Sequence, residues 1–130
     1  MNLQKYAPVI LRLGLSFVFI WFGLNQLISQ SAWISFIPSF IVSITGISAA
    51  TFVILNGIFE IVLASLLAFG IWTRLVSSLL FIHMFAIIGD VGLDAIGVRD
   101  IGLMFGLLSI AFTGTDEYSV QSEITTEIKI

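Results

Sequence analysis

Glu60 is the first charged residue after Arg12 and stands inside a long run of apolar and small residues that begins at Leu13. An acid near the centre of a bilayer costs about 3 kcal/mol on insertion scales, so it must face other protein groups and be either protonated or paired. Few side chains can meet it. Asn56 lies one helical turn before Glu60, on the same face. His83, the only histidine, sits near the middle of the next apolar run, so antiparallel neighbours bring it to the depth of Glu60. Asp90 lies two turns further along the face of His83. Asn25, Gln26, Arg99 and Asp100 fall at a similar outer depth and can widen this stripe into a cavity. Glu60 with His83 is the residue pair suited to acid–base work, and Asn25, Asn56, Arg99 and Asp100 are the candidates for holding a ligand. The same amides can equally do no more than hydrogen-bond between helices, a common structural use of Asn and His in membranes.

Other chemistries find little support. With no cysteine in the chain, disulfides, thiolate metal sites and thiol relays are excluded for this polypeptide alone. A lone His83 with Met84 or Met104 is a weak haem signature, and the spacing of Glu60, His83 and Asp90 is not that of a metal site. The net charge of −3 comes with no basic patch, so nucleic acid is not an expected partner.

The elements that must position these residues follow from composition. The chain has 130 residues, 58% hydrophobic and 10% charged, with mean hydropathy +1.13. One small soluble core cannot bury that much apolar surface, so lipid is the expected partner. Four apolar runs are expected to be helical: about Ala7 to Ile28, Ala49 to Ile71, Leu75 to Gly89 and Ile101 to Thr115. The last two are shorter than the about 20 residues a span requires, which places Arg74, Asp90, Arg99 and Asp100 at or inside the membrane boundary. It also gives Arg99 a need for buried acceptors. Residues 32–47 are apolar but short and interrupted by Pro38, which fits an interfacial or re-entrant helical segment between the first two spans. Nothing after Leu24 resembles a cleavage site, so the first segment is expected to be retained. The fold class is therefore all-α, an integral membrane four-helix bundle with a short interfacial or re-entrant piece.

Placing the amino terminus inside puts Lys5, Arg12, Arg74 and Lys129 on the cytoplasmic side and Arg99 outside, so both termini are expected in the cytoplasm. Arg12 and Arg74 then read as boundary anchors. Gly102 and Gly106 form a small-residue face suited to helix packing. The acidic tail reads as a solvated end, with Ile124, Ile128 and Ile130 alternating as a strand would.

Three local patterns, in order, resemble the DoxX family of small four-helix membrane proteins. They are Arg12-Leu13-Gly14 with Gly23-Leu24-Asn25-Gln26-Leu27, where Gln26 stands at a common lysine; Asn56-Gly57-Ile58-Phe59-Glu60 leading to Gly70-Ile71-Trp72-Thr73-Arg74; and Arg99-Asp100-Ile101-Gly102-Leu103 leading to Thr113-Gly114 and Ser119. The resemblance implies a transmembrane domain over residues 1–115 and a cytoplasmic tail over 116–130. It also implies membership in membrane oxidoreductase systems such as thiosulfate:quinone oxidoreductase, in which a DoxX-like chain is one subunit. No motif in the chain binds a cofactor by itself; on that reading a quinone can be one, with Glu60 and His83 delivering protons and the region around Arg99 attracting an anionic donor such as thiosulfate. A partner subunit or a homo-oligomer would complete the assembly. The competing reading is a non-catalytic structural or assembly subunit of a larger membrane complex, and a small-solute channel or carrier would require oligomerisation.

Overall fold

The computed structural model describes residues 2–129, and the side chains of all of these except 89–91. Six α-helices follow in order: α1 Tyr6–Ile28, α2 Ser39–Thr45, α3 Ala49–Phe69, α4 Thr73–Val91, α5 Ala95–Thr113 and α6 Val120–Ile128. Among the described residues there is no strand. Three helices among the described residues are long and apolar enough to cross a membrane, α1, α3 and α5, and α4 adds a further apolar helix over Thr73–Ile88. A helix satisfies its backbone groups internally in lipid, and several such apolar helices mark a multi-pass membrane protein.

The helix ends have local causes. Gly70 takes the left-handed conformation that ends α3 before Ile71. The α4 helix starts at Thr73, earlier than the apolar run at Leu75, straight after that turn. The largest departure is α5, which starts at Ala95 and not at Ile101. Asp94 is its N-cap, its Oδ1 accepting from the Gly97 N–H at 2.8 Å. Arg99 and Asp100 thus lie inside the helix, and the short-span argument for burying Arg99 no longer applies. The segment before α3 is broken at Pro38, as its composition suggests: single 3-10 turns at Gln30–Ala32 and Ile34–Phe36 precede it, and α2 follows.

The long helices close a ring of contacts, α1 with α3, α3 with α4, α4 with α5, and α5 with α1. Leu15, Phe19, Leu67, Leu80, Leu107 and Ile110 fill its centre. Large apolar side chains such as Ile10, Phe17, Phe85 and Phe112 point outward, as lipid contact requires. Gly23 on α1 and Gly57 on α3 bring the two backbones close together. A Cβ on Gly23 would stand 2.7 Å from the Gly57 carbonyl oxygen, and one on Gly57 2.8 Å from that of Gly23. Only glycine permits this spacing. The packing expected of Gly102 and Gly106 is correspondingly weaker: Gly102 faces open space, and the nearest neighbours of Gly106 are the side chains of Leu15 and Leu11.

The tail is helical and docked at its root. Ser119 caps α6 by accepting from the Ser122 N–H at 3.2 Å, so Ile124 and Ile128 lie on a helix and not on a strand. Asp116 and Ser119 are buried. Arg12, expected as a boundary anchor, is also buried: its Nε donates to Asp116 Oδ2 at 2.7 Å and its Nη1 to the Leu67 carbonyl at 3.0 Å, with Ala68 O as a further acceptor. It thereby adds a donor to carbonyls at the C-terminus of α3, where Leu67 O already accepts from the Gly70 N–H. Lys5 adds a contact over the Tyr118 ring at 5.9 Å.

Candidate functional site

Glycine packing sets the register of the polar groups. One turn beyond Gly23 stands Gln26, and three residues beyond Gly57 stands Glu60, so the close crossing of α1 and α3 brings amide and acid together. Gln26 Nε2 donates to Glu60 Oε2 at 2.9 Å. Asn56 Nδ2 donates to Gln26 Oε1 at 2.7 Å and to Glu60 Oε1 at 3.1 Å. From α4, His83 Nε2 lies 3.1 Å from the same Glu60 Oε1. Three side chains from three helices thus converge on one buried carboxyl group. The His83 ring rests on Phe59, with centroids 5.0 Å apart, and keeps 17% of its side chain exposed. Proton exchange between Glu60 and His83 has a direct hydrogen bond to follow.

Glu60 faces a cavity of about 280 Å³. Phe19, Phe22, Trp33 and Phe36 supply aromatic wall, and Val53, Met84 and Leu103 supply aliphatic wall. Trp33 and Phe22 meet edge to face at 5.7 Å. At the mouth, Arg99 Nη2 and Nε grip Asp100 Oδ1 at 2.6 and 2.8 Å, and the guanidinium covers the Phe22 ring at 4.9 Å. The Arg99 side chain is 49% exposed while Asp100 is buried.

Five of the six sequence-derived candidates line this one cavity: Asn25, Asn56, Glu60, Arg99 and Asp100. His83 reaches it through Glu60. Asn25 does not join the Glu60 cluster, since its Oδ1 accepts from Trp33 Nε1 at 2.9 Å. That bond fixes the indole over the cavity. Among the described residues Arg99 pairs with Asp100 and does not reach Glu60. The Asp90 side chain lies outside the described residues. Among the described residues no cluster of three or more His, Asp or Glu could hold a metal ion.

Two contacts were not anticipated: Gln26 was placed beside the cavity but not on Glu60, and Trp33 was given no place in the site. Gln26 is a buried hub with bonds to both Asn56 and Glu60, and its spacing from Gly23 was the available signal. Trp33 comes from the broken segment, which carries no helical periodicity to aim it.

Neither curated proteins nor solved structures give a match to this chain. A family model, DoxX, matches residues 7–93, a stretch that includes Gly23, Gln26, Asn56, Gly57, Glu60 and His83. Arg99 and Asp100 fall beyond it. With more than half its length matched, and with that match covering the whole polar cluster on three helices, the chain belongs to the DoxX family.

Proposed function

We propose that this protein is the membrane subunit of an oxidoreductase system, a four-helix bundle whose cavity binds the planar head group of a quinone. The observation that carries this reading is the joining of an aromatic cavity to a hydrogen-bonded acid–base pair at membrane depth. A quinone head group needs flat apolar walls and donors for its carbonyl oxygens. Phe19, Phe22, Trp33 and Phe36 offer the walls. The Asn25 amide nitrogen and Arg99 Nη1, neither engaged in a hydrogen bond among the described residues, offer the donors.

When bound, a quinone supplies two-electron, two-proton acceptor chemistry at its carbonyl oxygens. The chain's own part is to hold and move the protons. Glu60 keeps one orientation because Gln26 and Asn56 donate to it from opposite sides, and His83 stands behind it as the next proton carrier. Met84, Ile87 and Leu103 keep water from the ring. With no cysteine in the chain, a partner subunit is the proposed source of electrons. The segment of residues 30–45 lies at the outer interface on this reading and roofs the cavity with Trp33, Phe36 and Ile37.

Charge argues against a small dianion such as thiosulfate entering this cavity. Glu60 and Asp100 face one guanidinium there, and Arg99 is already committed to Asp100. A neutral ring suits that balance better.

Trp33 provides the test. In a Trp21→Phe/Trp72→Phe background its fluorescence reports the cavity alone, and decylubiquinone should quench it saturably. Arg99→Gln should weaken the binding, while Glu60→Gln should retain it and lose proton-coupled turnover with the partner. Unsaturable quenching, together with no quinone in lipid extracts of the purified protein, would reject this reading in favour of a structural subunit. The Glu60 cluster supports that second reading in that Gln26–Glu60, Asn56–Gln26 and His83–Glu60 each join one helix of the protein to another.

A further inference from the structure

A second cavity, also of about 280 Å³, lies at the opposite end of the helices and is lined by Trp72, Thr73, Arg74, Leu75, Thr115 and Gln121. Its features point to one chemistry. It contains the N-terminus of α4, a helix of 19 residues with no side-chain cap. The first intrahelical bond there is Val76 N–H to Trp72 O, which leaves the N–H groups of Thr73, Arg74 and Leu75 without a helical acceptor. Thr73 is only 1% exposed, yet its Oγ1 has no hydrogen-bond partner. Such a group in a membrane protein costs free energy unless something meets it. Gln121 Oε1, on α6, is likewise buried and unpartnered.

Charge completes the picture. Arg74 is exposed, forms no ion pair among the described residues, and its side chain lies across Gly114, where a Cβ would come within 2.5 Å of Nε. No carboxylate lines the cavity. A helix N-terminus, a free guanidinium and a buried hydroxyl without a partner form a donor set for a tetrahedral oxyanion. We propose that this cavity binds a phosphate group, carried by a phospholipid head or present as free phosphate. Thr73 donates its hydroxyl, Arg74 its guanidinium fork, and α4 its open N–H groups. Gln121 Oε1 accepts from a hydroxyl or ammonium attached to the phosphate, and so favours a lipid head group as the source. The site is independent of the quinone reading and shares no residue with that cavity.

The experiment uses the full chain, delipidated in dodecyl maltoside, with three probes: dioleoyl phosphatidylglycerol, dioleoylglycerol without phosphate, and inorganic phosphate. Binding is read by native mass spectrometry and by the shift in melting temperature. Phosphatidylglycerol should bind where dioleoylglycerol does not, and Arg74→Gln should weaken it about tenfold through loss of a charge-assisted pair. Arg74→Lys should restore part of that loss. Stabilisation by inorganic phosphate alone, with the same dependence on Arg74, would support the site and identify free phosphate as the source. Equal binding of the two lipids, or binding by no probe, overturns the proposal. Should Arg74→Gln fail to fold, Thr73→Val, which keeps the side-chain volume and removes the hydroxyl, decides: unchanged phosphatidylglycerol binding would overturn the assignment.

Discussion

Replacing Glu60 by Leu tests how the buried cluster is held together. Gln26 Nε2 loses the acceptor it has at 2.9 Å and, being buried, finds no water in its place. Asn56 Nδ2 keeps Gln26 Oε1 at 2.7 Å, and His83, with 17% of its side chain exposed, can turn towards solvent. One orphaned donor therefore dominates, and the expected cost is about 1–3 kcal/mol. Gln26→Leu should cost a similar amount, about 1–3 kcal/mol, by removing the donor from Glu60 Oε2. The double variant removes both partners and leaves apolar groups facing each other, an exchange that is often nearly neutral; Asn56 loses both of its acceptors, but it is only half-buried and lines the cavity, where its amide can meet water. The loss in the double variant should fall short of the sum of the single losses by at least about 1 kcal/mol. Helical circular dichroism followed through denaturant titration in detergent measures all four corners of the cycle. If the two losses add to within about 0.5 kcal/mol, the direct Gln26–Glu60 bond is refuted, and with it the idea that glycine packing at Gly23 and Gly57 sets the geometry of the site.

Gly57→Ala should destabilise the protein by about 1–3 kcal/mol, since its methyl must displace the α1 backbone and not a flexible side chain; Gly102→Ala, facing open space, should be neutral in the same melting experiment. Asp116→Ala leaves Arg12 as a buried unpaired charge and should cost about 3–5 kcal/mol, with Arg12→Leu/Asp116→Leu recovering much of it. Single cysteines at Asp94 and Glu123, in a chain that has none of its own, should label from opposite sides of the membrane, with Glu123 on the cytoplasmic side; labelling from one side would reject the proposed topology.

Residue type carried much of the site, because an acid within an apolar stretch restricts its own surroundings. Glu60, Asn56 and His83 could be joined on helical spacing and depth alone. Gln26 could not be separated from Asn25 in that way, since adjacent amides at a helix end look alike until packing turns one inward. Only the Gly23–Gly57 crossing does so. The start of α5 was obscured by Arg99 and Asp100, whose charges interrupt hydropathy without interrupting the helix, while the Asp94 cap three residues before Gly97 was the legible sign. Arg12 was misread for a different reason. Its acceptors are the last carbonyls of α3 and a carboxylate near the far end of the chain, and no local pattern connects such positions.

That long separation bears on how the protein is made. While the first helix enters the membrane, Asp116 has not yet been synthesised, so Arg12 is an unmatched positive charge able to hold the amino-terminal end on its side of origin. Once the last long helix has been placed and Asp116 follows, the same guanidinium is withdrawn from water and closes over the end of α3. On the proposed topology a single residue is therefore expected to serve first as an orienting signal and later as a lock. Released chains truncated before Asp116 should remain open to proteolysis at Gly70 and Ile71, and released chains extending past Tyr118 should become resistant there.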